Sequence, residues 1–155
     1  MVSWVRRLAL ALAIALAGAF AAQADPTEED ELKLDPDYAG GKKAVETKDW
    51  SSAIRLLSSA ALRDTRNADI QNYLGYAYRN SRQFDLAFKH YERALQLNPR
   101  HRGAHEYIGE AYLIVNNLAR AQEHLAALQK ICLLPCEEYE DLKKKIAEYR
   151  ARAGK

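Results

Sequence analysis

The chain is poor in the residues from which catalytic and metal sites are usually built. Its 155 residues include only two cysteines, four histidines and one methionine. No nucleophile–base–acid constellation, glycine-rich phosphate loop or ligand-spaced metal cluster stands out. Hydrolase, kinase and metalloenzyme readings therefore have no residues to rest on, and neither a cofactor nor a metal is expected. No alternating strand pattern occurs, and outside residues 8–20 there is no long apolar run. Charge of either sign is also not in excess. Basic residues number 23 and acidic 21, and Arg6 and Arg7 account for the whole difference. Such a balance gives no argument for nucleic acid or an anionic membrane surface as partner.

What the chain does have is tyrosine, nine of them, and a period. Leu74-Gly75-Tyr78 returns 34 residues later as Ile108-Gly109-Tyr112, and Phe84, Ala87, Tyr91 and Ala94 return as Leu118, Ala121, Leu125 and Leu128. Seven positions match in kind at one offset, a spacing that belongs to helical-hairpin repeats. Residues 68–101 follow this pattern throughout, with Pro99 closing the unit. Residues 102–134 keep it until Leu133 stands where a proline would close. Residues 34–67 are a degraded copy. There Gly41, Ala53, Leu57 and Ala60 fall in register, Trp50 matches Phe84, and Gly40 and Ala44 replace a large apolar residue and an aromatic.

These residues resemble the tetratricopeptide repeat. The resemblance covers about two thirds of the chain and implies an all-α fold, an α-solenoid of about three hairpins. Gly75 and Gly109 are expected where two antiparallel helices touch, with Ala87 and Ala121 as small partners and Tyr78 and Tyr112 filling the space above. A lone hairpin cannot bury both its faces, so about three are needed for stability.

The flanks read differently. Arg6 and Arg7, the apolar stretch Leu8 to Phe20 and the small-x-small site Ala22-Gln23-Ala24 predict a cleaved signal peptide over residues 1–24, hence a periplasmic or secreted protein with no membrane span after cleavage. Residues 25–33 are an acidic lead-in. Cys132 and Cys136 flank the helix breaker Pro135. In an oxidising compartment the pair favours a structural disulfide at the corner after the last repeat. Redox or regulatory chemistry and metal binding are the alternatives. Residues 135–155 carry Tyr139, Leu142, Ile146 and Tyr149 on one helical face, with acids first and lysines after. That is the pattern of a capping helix covering the last repeat.

In this family the first helix of each repeat lines a concave groove. By register, the resemblance points to Tyr38 and Lys42, to Asp69, Asn72, Tyr73, Tyr76, Arg79 and Asn80, and to Glu106, Tyr107, Glu110 and Leu113. Tyr73, Tyr76 and Tyr107 are outside the signature, and rigid rings with polar tips suit a binding surface. Lys42, Asn72, Arg79 and Asn80 could grip an acidic group, but Glu106 and Glu110 oppose a purely acidic ligand, so a mixed-charge segment is expected. Of the histidines, His101 and His105 are four apart but His101 falls in the turn after Pro99, and His90 and His124 read as solvated. The functional expectation is a non-catalytic scaffold holding a protein or peptide segment. A thiol-redox role for Cys132 and Cys136 is the alternative, and self-association of concave on convex face is a third arrangement.

Overall fold

A computed structural model describes residues 35–154, so the signal-peptide and lead-in readings lie outside the described residues. Within them the chain forms seven α-helices and no strand: α1 Pro36–Glu46, α2 Trp50–Arg63, α3 Ala68–Asn80, α4 Phe84–Leu97, α5 Arg102–Ile114, α6 Leu118–Ile131 and α7 Glu137–Ala153. Among the described residues no helix is long and apolar enough to cross a membrane.

The period is visible in the helix starts. Trp50, Phe84 and Leu118 each open the second helix of a hairpin, and Ala68 and Arg102 open successive first helices. Caps set several of these starts. Asp35 accepts from the amides of Asp37 and Tyr38 with Pro36 following, and Asp49, Asn67, His101 and Asn117 each accept an amide of the first turn. Helix α7 has no side-chain cap but carries Glu137, Glu138 and Glu140 in its first turn, where the macrodipole favours acids. Each hairpin turn repeats too. Lys48, Arg82 and Asn116 have φ of 59°, 61° and 59°, a left-handed residue just after each first helix. The amide that follows reaches back to Ala44, Tyr78 or Tyr112 at 2.8–2.9 Å, closing a Schellman turn with a non-glycine at its strained position.

First helices touch one another (α1 with α3, α3 with α5, α5 with α7), whereas second helices touch none of their own kind. The stack therefore curves with α1, α3, α5 and α7 on the inner face. Three buried clusters run along it. The first is built on Leu57, Ile70 and Leu74, the next on Tyr91, Ile108 and Ala111, and the last on Leu128, Leu142 and Ile146.

The glycines meet different neighbours from those expected. A Cβ at Gly75 would lie 2.6 Å from the ring of Tyr91, and at Gly41 2.6 Å from Leu57, so each tight approach is to a large side chain rather than to the alanine. Gly109 approaches Leu142 of α7, also at 2.6 Å, rather than the second helix of its own hairpin. Leu74, Ile108 and Leu142 are themselves 34 apart, so α7 continues the register as the first helix of a further hairpin. The corner before it is closed by a Cys132–Cys136 disulfide, with Leu133 and Leu134 exposed between the two cysteines.

Candidate functional site

Aromatic rings touch from one repeat to the next. Tyr38 of α1 meets Tyr73 of α3 edge-on at 6.2 Å between centroids, and Lys42 lies over the Tyr38 ring. Trp50 meets Tyr76 at 6.0 Å, and Tyr76 meets Tyr107 of α5 at 4.9 Å. The Arg79 guanidinium stands over both Tyr76 and Tyr107, donates to the Tyr107 carbonyl at 3.4 Å and pairs with Glu110. Its side chain is only 9% exposed. A cation over ring faces gains most when water is excluded, as here.

The structure sorts the sequence-derived residues by depth. Asn80 and Asp69 are exposed; Asn80 donates to the Tyr76 carbonyl at 2.8 Å, and Asp69 meets His101 at 2.9 Å. Lys42, Tyr76, Arg79 and Glu110 are half-buried. Tyr38, Asn72 and Glu106 are buried. Asn72 lies against Gly103, and its Oδ1 has no hydrogen-bond partner. Tyr73 and Tyr107, which lie outside the repeat signature, are half-buried and pack against the first and second clusters, because their rings bridge adjacent first helices. Tyr76 belongs to no buried cluster.

Burial pushes the Glu106 carboxyl up to about 8, aided by Glu110, Asp141 and Glu138 and opposed by Arg79. Burial likewise pushes Tyr107 up to about 12, with Glu106 next in effect. Folding thus favours protonated Glu106, and its contribution to stability is full below the ordinary 4.5 and lost as pH rises through about 8. Replacing Glu106 with glutamine removes this dependence. The melting temperature of the Glu106→Gln variant, relative to wild type, should rise between pH 4.5 and 8 and then level off; a pH-independent difference would show that Glu106 is charged in the fold.

Beyond Glu110 the face opens into a cleft of about 270 Å³ at the ends of α3 and α5. Arg79, Glu110, Leu113 and Ile114 form its walls together with Lys145 and Arg152 from α7. These two α7 cations were missed by the sequence reading, which treated α7 only as a cap.

The histidines correct another expectation. His90 and His124 are half-buried rather than solvated. His90 bonds Gln71 at 2.8 Å and stacks on Tyr78. His105 Nε2 lies 3.1 Å from the Pro99 carbonyl, which can only accept, so Nε2 carries the proton. His105 Nδ1 then accepts from His124 Nδ1 at 3.0 Å. Burial pushes both rings down, His124 to about 4. His101 caps α5 through Nδ1. Among the described residues no group of three histidine, cysteine or acidic side chains could hold a metal.

Comparison with known proteins agrees with this architecture. Residues 68–101 match the tetratricopeptide repeat family model. Human protein O-mannosyl-transferase TMTC3 is 29% identical over 93 residues, covering 59% of this chain and 10% of that protein. The chain thus spans about a tenth of that relative's length. The TPR2B domain of yeast Sti1, solved in complex with pHsp70, superposes with a TM-score of 0.71 at 17% identity over 78% of this chain and 98% of that one. The Yersinia enterocolitica type III secretion chaperone SycD, solved with a peptide of the translocator YopD, gives 0.67 at 16% identity over 83% and 97%. The fold is that of a tetratricopeptide-repeat solenoid, and solved chains of this fold hold segments of partner proteins.

Proposed function

We propose that this protein is a non-catalytic scaffold that holds a segment of a partner protein in its concave face, with Tyr76 and the Arg79 side chain at the centre of the contact. The observation that carries the reading is the row of touching rings, Tyr38–Tyr73 and Trp50–Tyr76–Tyr107, on the face where first helices converge. Such rings bury area at little entropic cost, and truncating one anchor at an interface typically costs about 2 kcal/mol, roughly thirtyfold in affinity. The likeness to chains solved with bound segments supports it. The test is capture by the full chain as bait. A Tyr76→Ala/Asn80→Ala variant with wild-type helical content should lose the protein retained by wild type. Equal retention would move the binding surface off the groove.

The proposed place of action is the periplasm, on the strength of Arg6-Arg7, the apolar run and Ala22-Gln23-Ala24. Exported protein should begin at Asp25 on N-terminal sequencing; a chain beginning at Met1 would overturn this. A thiol-exchange role is not favoured. The bonded Cys132–Cys136 pair closes the corner that orients α7, so a structural part accounts for it.

A further inference from the structure

We infer that α7 is the fourth wall of the groove and that the groove is bipolar. The bound segment presents a lysine or arginine to Glu106, Glu138 and Asp141. About four extended residues away it presents a carboxylate to Arg79, Lys145 and Arg152. The inference rests on the groove reading above and names the chemistry of the occupant.

The anion-binding end is the cleft already described. Arg79 spends its charge on Glu110, but Lys145 and Arg152 have no ion-pair partner among the described residues. Lys145 and Arg152, both exposed, stand beside Leu113 and Ile114, so the lining of the cleft carries net positive charge. The cation-binding end has the opposite balance. Arg102 pairs with Glu138 at 3.5 Å, which leaves Asp141 and Glu106 without a cation of their own. Glu106 is 91% buried, since only 9% of it is exposed, and accepts no hydrogen bond among the described residues. Its carboxyl is held up toward about 8 by burial and by the acids around it. A ligand ammonium or guanidinium would restore its charge.

Spacing bounds the ligand. On α7 the midpoint of the acids at 138 and 141 precedes that of the cations at 145 and 152 by about nine residues, roughly 13 Å at 1.5 Å per residue. Four residues of extended chain cover that distance at about 3.3 Å each. A segment lying with its cation at the acidic end is attracted at both ends, and the same segment turned round is repelled at both, so the groove sets which way a given segment lies and favours two opposite charges held apart.

Two capped synthetic peptides of the same composition test this: one with lysine and aspartate separated by three neutral residues, the other with lysine and aspartate adjacent. Each is titrated into the isotope-labelled full chain and followed by NMR amide shifts. The peptide with separated charges should bind at least fivefold more tightly and shift amides around Glu106 and Lys145. In a Lys145→Glu/Arg152→Glu variant that preference should vanish. Equal affinity for both peptides, with shifts on α3 and α5, would overturn the bipolar groove while leaving the groove itself. Shifts that spare α7 would overturn its part as a wall. No shift with either peptide at millimolar concentration would also overturn the inference, whereas the groove reading falls only if the Tyr76→Ala/Asn80→Ala variant keeps its partner.

Discussion

Replacing Gly75 by leucine should lower the melting temperature by about 8 °C. A Cβ there would already stand 2.6 Å from Cδ1 and Cε1 of Tyr91 and 2.9 Å from its Cγ. Tyr91 is wholly buried between the second and third hairpins and cannot swing aside. Overpacking of this kind costs about 3 kcal/mol. For a domain of this size each kcal/mol is worth about 4 °C. The gain of about 1 kcal/mol from removing a helical glycine does not offset it. Gly40 is the control. A Cβ there meets only the end of the Leu56 side chain, at 3.2 Å, so Gly40→Ala should be neutral or stabilising. Thermal melts of both variants check the pair, and a Gly75→Leu protein that melts like wild type would break the packing account.

The second large effect is expected at Arg79. Its alanine variant should lose about 3 kcal/mol in denaturant unfolding. Arg79 and Glu110 are 9% and 18% exposed, and removing one partner of a buried pair strands the other charge. Here Glu110 would stand uncompensated one turn from Glu106, and the stacking over Tyr76 and Tyr107 would go as well. The double variant Arg79→Ala/Glu110→Ala should recover part of the loss, because no stranded charge remains. A single variant within 0.5 kcal/mol of wild type, on the order of an exposed pair, would show that water reaches the pair freely.

Much of this architecture can be read in the sequence, for a local reason. Gly75, Tyr78, Ala87, Tyr91 and Ala94 lie within one 34-residue unit, so one hairpin fixes their contacts with one another. Contacts between elements at no fixed spacing could not be read that way. Gly109 meets Leu142 only because α7 docks on α5, and His105 meets His124 across two helices. A signal for α7 was present: Leu74, Ile108 and Leu142 keep the 34-residue step. The other two signature positions of α7, 143 and 146, hold lysine and isoleucine in place of glycine and tyrosine, which hid it. The turn residues Lys48 and Arg82 gave no warning of positive φ, since only asparagine, as at Asn116, is enriched there. In the groove, the register placed Tyr38, Tyr73, Tyr76 and Tyr107 on first helices. It could not tell which rings bridge helices and which stand free. That depends on the curvature of the stack, which sets how closely α1, α3 and α5 approach.

The central claim is that the concave face holds the partner. The most direct test is site-specific photo-crosslinking in living cells with a benzophenone amino acid at single positions. The probe replaces Tyr76 on the inner face in one strain and Lys89, exposed on α4 of the outer face, in another. The account predicts a covalent adduct with one partner from position 76 and none from position 89. An adduct from position 89 with none from position 76 would contradict it.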